Sequence, residues 1–425
     1  MIHSQFALLG TRRFLPLFLT QSLGAFNDNV FKNALVILIT FELASGLGAD
    51  PALMVTAAAG IFILPFFLFS ATAGQLADRY DKASMIRLVK LIEVALMLGA
   101  TVGFHLQSAG YLLAILFLMG AQSAFFGPLK YAILPDHLAR DELISGNGLI
   151  QAATFLAILL GTLIGGIFIL ADGGTGIISI AVVTLAIAGW LASRAIPATG
   201  SAAPGLKVRL NFLAETWSMV ARGARRPEIF RPTLAVSWFW LVGATFLAQV
   251  PTFGKVSLGG DEGLVTLLLL LFSLGIGTGS LLCNRLLGGE IHLTYVPFGA
   301  LGISLFALEL YFASSGGPSL QTGGAVGTTQ FLSSWSGCRI ALDVFLIAVS
   351  GGIYIVPLNA VIQSRSEQTH RARNIATVNI LNALFMVISA VVSALLLALN
   401  FTVPELFLIL ALFNLGAILF AARAL

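Results

Sequence analysis

The stretch GAFNDNVFKN (Gly24–Asn33) places five polar side chains between two apolar runs of the chain. Asp28 and Lys32 are four residues apart, so in a helix they share one face and can pair. An ionisable group in the middle of a bilayer costs at least about 2.5–3.5 kcal/mol and is a candidate for function. A carboxylate and an amine together suit a ligand that carries both a positive and a negative charge. The alternative is a self-neutralised pair that only braces a helix bundle.

Several other polar residues fall inside or at the ends of apolar stretches. Lys130 offers a second cation, or else an anchor whose amine reaches the membrane surface. The amides at Asn147 and Gln151, one turn apart, favour either substrate binding or hydrogen bonds between helices. The predicted substrate site comprises Asp28, Asn29, Lys32, Lys130, Asn147, Gln151, Asn359, Arg373, Asn374, Asn379 and Asn382.

Three further charges have alternative interpretations. Arg373 lies at a membrane edge and is either a site residue or an ordinary flanking charge. Glu93 follows Lys90 by three residues, and Asp343 follows Arg339 by four, so both pairs are expected to be local. Glu93 can alternatively serve as a proton or cation relay.

The composition indicates the elements that position these side chains. Of 425 residues, 58% are hydrophobic and only 10% are charged, whereas a soluble domain carries about 25% charged residues. The apolar residues form runs of about twenty, the length of a membrane-spanning helix, without the period-two alternation of a barrel. We therefore predict twelve spans, at 13–41, 52–76, 84–105, 111–134, 143–170, 174–196, 230–254, 262–286, 293–313, 336–362, 374–398 and 403–422.

Charge and spacing predict the orientation and the domains. With both termini in the cytoplasm, all basic residues except Lys32, Lys130, Lys255 and Arg339 lie at the cytoplasmic side, as the positive-inside rule requires. Residues 1–196 form a first six-helix bundle and 230–425 a second. The cytoplasmic linker between them, 197–229, contains an amphipathic stretch that we expect to lie at the lipid surface.

The two predicted bundles resemble each other. GPLKYAIL in the fourth span matches VPLNAVIQ in the tenth, which pairs Pro128 with Pro357, Leu129 with Leu358 and Lys130 with Asn359. Asn147 and Asn374 then begin the polar stretches of the next spans. Two parallel repeats are the layout of an alternating-access transporter.

The connection between the second and third spans reads GQLADRYDKA. It resembles the G-x-L-a-D-R-x-G-R-[RK] motif of the major facilitator superfamily. The resemblance implies an all-α fold of twelve helices in two pseudo-symmetric bundles, with a gating motif at Gly74, Asp78, Arg79 and Lys82. Gly74 would permit close helix approach, and Asp78 would face the N-terminus of a neighbouring helix. The second glycine of the motif is Asp81 here.

Three stretches are similar to the bacterial lysophospholipid transporter family: GAFNDN, the segment 125–166, and GGIYIVPLNAVIQ at 351–363. The resemblance implies flipping of lysophosphatidylethanolamine and related lysolipids across the inner membrane by alternating access. It also implies an acyltransferase as a functional partner. Gln151 and Asn382 stand where acidic residues are expected, and Arg373 is an added charge.

Other classes of function have no motif in the sequence. No His is followed by Asp five residues on, as an acyltransferase requires, and no G-x4-G-K-[ST] phosphate-binding loop occurs. Cys283 and Cys338 have no metal-ligand spacing. We therefore expect no enzymatic activity, no cofactor, no metal and no nucleic-acid partner, and a monomer among membrane lipids. The alternatives are an efflux carrier for amphipathic drugs or small solutes, and a non-transporting membrane partner of an acyltransferase.

Overall fold

The computed structural model describes residues 5–43, 51–315 and 325–424. Within these ranges the regular structure is helical, apart from a single parallel bridge between Gly260 and Val326. The long helices are α1 Leu15–Leu38, α2 Pro51–Arg79, α3 Lys82–Leu106, α4 Ala109–Ala132, α5 Leu143–Ile169, α6 Gly174–Arg194, α7 Phe212–Ala224, α8 Pro227–Thr252, α9 Glu262–Leu287, α10 Val296–Ser315, α11 Trp335–Arg365, α12 Arg371–Ala398 and α13 Val403–Ala424.

Each of the twelve predicted spans coincides with one of these helices, and α7 is the extra one. Nine helices in the described part of the chain are long and apolar enough to cross a membrane by length and composition. The helices α1 and α3 are not among those nine: α1 carries the half-buried charges of Asp28 and Lys32, and α3 the buried charges of Lys90 and Glu93. The apolar part of α13, Val403–Ala417, is shorter.

Polar residues define where several helices begin. Asp81 caps α3 by accepting a hydrogen bond from the Ser84 amide at 2.8 Å, and Asn211 caps α7 through the Ala214 amide at 3.1 Å. Such side chains satisfy amides that have no partner within the helix. Gly288, with φ of 59°, adopts the left-handed conformation that ends α9.

The predicted loop between the second and third spans is much shorter than expected. The residues GQLADR continue α2 to Arg79, and only Tyr80 and Asp81 separate α2 from α3. The predicted second span ends at 76, whereas in the structure Asp78 and Arg79 lie on the last turn of α2.

The described residues divide into two compact units. The first is drawn from Met1–Gly146, Ala157–Leu234 and Ile362–Ala383, so it includes the first part of α12. Its core lies among α1, α3, α4 and α6, where the rings of Phe31 and Phe104 meet edge to face with centroids 5.7 Å apart.

The second unit is drawn from Asn147–Leu156, Ala235–Val361 and Leu384–Leu425. Stacked aromatic rings form part of its interior, with the centroids of Phe246 and Phe407 4.5 Å apart. Asn414 is buried there and donates to the Ala300 carbonyl at 2.7 Å, while it accepts a hydrogen bond from Trp238 Nε1 at 2.7 Å. These contacts join α8, α10 and α13.

The linker helix α7 is part of the first unit. The Thr216 hydroxyl donates to the Phe67 carbonyl at 2.9 Å, and Met219 packs against Ala71 and Ala376. The helix therefore contacts both α2 and the start of α12. On its other side, Leu213 and Trp217 are 72% and 78% exposed. Val220, three residues after Trp217, packs partly against the protein.

Candidate functional site

Asp28 lies near the middle of α1, a helix of 24 residues. Its Oδ2 accepts a hydrogen bond from the Ser123 hydroxyl of α4 at 2.8 Å. Its Oδ1 is buried, and no donor among the described residues reaches it. A buried carboxylate oxygen without a donor is costly. This oxygen therefore has an acceptor position that no described residue uses.

Lys32 and Asp28 do not form the direct ion pair that their spacing predicted. The Lys32 amine lies more than 4.0 Å from both carboxylate oxygens of Asp28. The Lys32 amine instead lies 5.6 Å from the centre of the Phe62 ring, as a cation over an aromatic face. Its charge still acts on Asp28, and so do the charges of Lys90 and Glu93. The alternative in which the two residues only neutralise each other is therefore not supported by a direct ion pair between them.

A hydrogen-bonded network lies beside Asp28. Glu93 of α3 forms an ion pair with Lys90 at 2.6 Å, as the spacing predicted, and both side chains are 1% exposed. Glu93 also accepts hydrogen bonds from Asn27 Nδ2 at 3.0 Å and from Gln122 Nε2 at 2.9 Å. We call Asn27, Asp28, Lys90, Glu93, Gln122 and Ser123 the buried cluster, in which Asp28 and Ser123 are half-buried and the other four residues are buried.

Two other predicted site residues lie on the same helices. Asn29 donates to the Ala25 carbonyl of its own helix at 2.8 Å, so its amide is partly used within α1. Lys130, near the end of α4, has its amine 5.0 Å from the centre of the Tyr131 ring. The charges of Asp28 and Lys90 both act on it. Lys130 therefore belongs to the same electrostatic environment as the buried cluster.

The asparagines predicted on the eleventh span occupy the first part of α12. Asn379 lies against α4, because a Cβ at Gly127 would come within 2.2 Å of its Nδ2. That Nδ2 is buried without a hydrogen-bond acceptor among the described residues. Asn374 donates to the Ser366 hydroxyl at 3.0 Å instead. Asn382, half-buried, completes the group.

Three predicted site residues belong to the second unit. Asn147 and Gln151 lie one turn apart on α5 and are 1% and 2% exposed. Asn359 lies on α11, two residues after Pro357, and is half-buried. Their part in a substrate site stays a prediction.

The motif residues of α2 meet the N-terminus of α12. Asp78 is fully buried and accepts hydrogen bonds from the Ala372 amide at 3.0 Å and from Arg373 Nε at 2.8 Å. Gly74 allows this approach, since a Cβ there would lie 2.6 Å from the Ala376 Cβ. A carboxylate at a helix N-terminus is favoured because its amides lack partners and the dipole is positive there.

A second connection runs alongside the first. Asp136 forms ion pairs with Lys82 at 3.0 Å and with Arg371 at 2.9 Å. Lys82 is buried, with 1% of its side chain exposed. We call Asp78, Lys82, Asp136, Arg371 and Arg373 the latch.

Arg79, predicted to belong to the gating motif, takes no part in the latch. Its guanidinium lies 5.2 Å from the centre of the Tyr80 ring, and it forms no ion pair with any described residue.

The structure brings together residues that are far apart in the sequence, some of which were not predicted to belong to a site. Arg373, predicted as a substrate residue, is held in the latch, whereas Gln122 and Ser123 enter the buried cluster. Two adjacent polar residues within the apolar fourth span were the signal for that pair. Asp136 and Arg371 were also omitted.

One predicted local pair is wrong. Arg339 donates from Nε to Glu309 at 2.9 Å and does not pair with Asp343. A neighbouring helix brings Glu309 to this position, which spacing along the chain does not show.

Comparison with known proteins places this geometry in a family. The model of the family described as the Major Facilitator Superfamily matches residues 17–336. The chain belongs to the major facilitator superfamily. Membership of this superfamily confirms the predicted fold class, the all-α major facilitator fold.

Relatives and solved structures agree with that assignment. The chain is 28% identical to the lysophospholipid transporter LplT of Escherichia fergusonii over 361 residues, 83% of this chain and 81% of that protein. It is also 28% identical to LplT of Salmonella typhimurium, over 85% of this chain and 82% of that protein.

Among solved structures, the fold matches the human organic anion transporter MFSD10. The TM-score is 0.75, with 14% identity over 96% of this chain and 98% of that one. It also matches the proton:xylose symporter XylE, with a TM-score of 0.68 and 14% identity over 97% and 95%. At 14% identity, these two similarities show a shared fold and nothing about the substrate.

Proposed function

We propose that this superfamily member transports lysophospholipids of the lysophosphatidylethanolamine type across the inner membrane of a bacterium by alternating access. The observation that carries the proposal is the carboxylate of Asp28 at mid-helix. One of its oxygens is held by Ser123, and the other has no donor among the described residues. The similarity to proteins named lysophospholipid transporters supports the same substrate class.

The charges near Asp28 suit a zwitterionic headgroup. The ammonium of phosphoethanolamine donates to the free oxygen of Asp28, because a cation there offsets the cost of the buried charge. The amines of Lys32 and Lys130 attract the phosphate. Asn379 contributes an amide from α12, next to α4.

The latch supplies the gate of an alternating-access cycle. It joins the ends of α2, α3 and the segment after α4 to the first turn of α12. We place this end of the protein in the cytoplasm, because the basic residues of the chain concentrate there. Release of a headgroup to that side then requires Asp78 to part from Arg373 and Asp136 from Arg371.

The remaining partners follow from the same proposal. The protein acts as a monomer in the lipid bilayer, with its termini in the cytoplasm, and supplies lysolipid to an acyltransferase. No chemical step of its own is required, because transport moves the substrate without changing its bonds.

Transport into proteoliposomes tests the proposal. The full-length protein is reconstituted, and movement of labelled lysophosphatidylethanolamine across the bilayer is compared with protein-free vesicles. Asp28→Asn and Lys32→Ala are each expected to lower transport by about tenfold or more, as loss of a hydrogen bond to a charged group predicts. Asp172→Asn and Lys207→Ala make the same chemical changes at exposed positions and are expected to leave transport unchanged.

The outcomes separate the function from the site. Absence of lysolipid movement by the unmodified protein would overturn the proposed function. An amphipathic drug moved in place of lysolipid would instead identify an efflux carrier. Normal transport by both site variants would retain the function and remove Asp28 and Lys32 from the site.

A further inference from the structure

Glu93 is a buried carboxylate to which the proposed headgroup site assigns no role. It receives hydrogen bonds from three helices: from Asn27 of α1, from Gln122 of α4, and from Lys90 of its own helix α3. The donor–acceptor distances are 3.0, 2.9 and 2.6 Å. Hydrogen bonds to a buried charge are stronger than those between neutral groups. Glu93 therefore fixes the positions of α1 and α4 relative to α3.

Two of these donors are directly followed in the sequence by residues of the proposed substrate site or its support. Asp28 follows Asn27 on α1, and Ser123 follows Gln122 on α4. Because Ser123 donates to Asp28 at 2.8 Å, α1 and α4 are joined twice at adjacent positions, once directly and once through Glu93. A shift of α1 that breaks the contacts of Glu93 also moves the Asp28 carboxylate away from Ser123.

Glu93 also determines where the charge of Lys90 lies. The Lys90 amine donates to Glu93 and lies 4.5 Å from the centre of the Phe126 ring. Gly24, the first residue of GAFNDN, provides the space, since a Cβ there would lie 2.0 Å from the Lys90 Nζ. The charge of Lys90 also acts on Asp28. Without Glu93, the amine would be buried beside Asp28 with no carboxylate of its own.

We propose that Glu93 is a positioning residue that determines headgroup specificity, by occupying Lys90 and so leaving the Asp28 carboxylate for the ammonium of a zwitterionic lysolipid. This inference rests on the proposed function. The lysines near Asp28 are Lys32, Lys90 and Lys130, against the two carboxylates of Asp28 and Glu93. Neutral Glu93 leaves three amines and one carboxylate, which favours an anionic headgroup without an ammonium.

The variant Glu93→Gln tests this proposal, because it removes the charge while keeping the size and one acceptor oxygen. Initial rates are measured in proteoliposomes for two lysolipids of the same acyl chain, one with an ethanolamine headgroup and one with a glycerol headgroup. The KM for the ethanolamine lysolipid is expected to rise about tenfold or more. The KM for the glycerol lysolipid stays unchanged or falls, and both maximal rates stay within about twofold. Glu290→Gln is the matched control at an exposed position.

A second variant separates specificity from folding. Glu93→Gln combined with Lys90→Met removes both buried charges, a replacement that is often neutral or stabilising. It also removes the freed amine, so the KM for the ethanolamine lysolipid is expected to return toward that of the unmodified protein. If Glu93→Gln alone does not fold, the double variant with Lys90→Met decides the test. A ratio of the two KM values close to that of the unmodified protein supports the inference, and a clearly different ratio overturns it.

Two results would overturn the inference. One is an equal rise of both KM values in Glu93→Gln that Lys90→Met does not reverse, and the other is no change in either. If the unmodified protein moves neither lysolipid, the proposed function itself fails.

Discussion

Arg373 Nε and Asp78 Oδ2 lie 2.8 Å apart, and this contact joins the last turn of α2 to the first turn of α12. The Asp78 side chain is fully buried, whereas that of Arg373 is 18% exposed. Residues 295 positions apart thus act as one unit in the described structure. The backbone amide of Ala372 adds a further hydrogen bond to the same carboxylate at 3.0 Å.

The first prediction concerns the energy of this contact. Asp78→Asn and Arg373→Gln are each expected to destabilise the protein by about 1.5–3 kcal/mol, because a hydrogen-bonded charge loses its partner. The double variant should lose less than the sum, by about 0.5–3 kcal/mol. Denaturant unfolding of the purified protein measures these values. Additive losses would show that the two side chains are not coupled.

The second prediction distinguishes two basic residues of the motif. Lys82→Gln is expected to impair transport strongly, because it leaves the buried Asp136 with one cation instead of two. Arg79→Gln should change transport little, since Arg79 forms no ion pair with any described residue. Asp136→Asn should be more harmful than either, as it leaves both Lys82 and Arg371 without a carboxylate. Equal effects of the Lys82 and Arg79 variants would contradict this assignment.

The contrast between these residues shows what could be predicted from the sequence. Helical periodicity and the length of apolar runs predict the helices and place Asp28 near the middle of the first span, which is its position in α1. The partners of Asp28 and Glu93 could not be predicted from spacing, because Ser123 and Asn27 are 95 and 66 residues away from them. Such contacts depend on which faces of separate helices pack together, and an amphipathic pattern fixes a face but not its neighbour.

Asp81 illustrates a departure from a motif that only the structure explains. It stands where the superfamily motif has glycine, and it accepts hydrogen bonds from the amides of Ser84, Thr199 and Gly200. Two of these donors belong to the linker that precedes α7. In this chain the substitution therefore ties the linker to the connection between α2 and α3.

The third prediction follows from the charge of Asp81. Burial raises its pKa, but the hydrogen bonds from Ser84, Thr199 and Gly200 outweigh burial and lower the pKa to about 2. Because the folded pKa is below the unfolded value of about 3.9, the stabilisation is complete above that value and is lost as pH falls toward 2. Transport between about pH 6 and 8 should therefore not depend on this group.

Asp81→Asn and Asp81→Gly supply the measurement at neutral pH. Asp81→Gly removes the cap of α3 as well as the linker contacts, and loss of the cap alone is expected to cost about a few tenths of a kcal/mol. Hydrogen exchange of the peptide covering Thr199 and Gly200 should accelerate in both variants, most in Asp81→Gly. Unchanged exchange at this peptide would show that Asp81 does not hold the linker.

The fourth prediction concerns α7, which we expect to lie at the membrane surface. Trp217 and Leu213 are exposed on the side away from Met219, and the exposed charges of Arg222 and Arg225 follow at the end of the helix. Exposed aromatic and aliphatic residues with neighbouring arginines favour insertion among anionic headgroups. In proteoliposomes containing anionic phospholipid, an environment-sensitive dye attached at Trp217→Cys should therefore emit at a shorter wavelength than the same dye in water.

Matched positions make this measurement specific. Cys283 and Cys338 are first replaced, which leaves the introduced cysteine as the labelled site. Gly205→Cys, exposed in the linker, serves as the control and should report water. Arg222→Gln with Arg225→Gln should weaken the response to anionic lipid by about fivefold for each charge, since each basic residue near such a surface contributes about 1 kcal/mol. If the dye at position 217 reports water in every vesicle, the apolar face of α7 does not contact lipid.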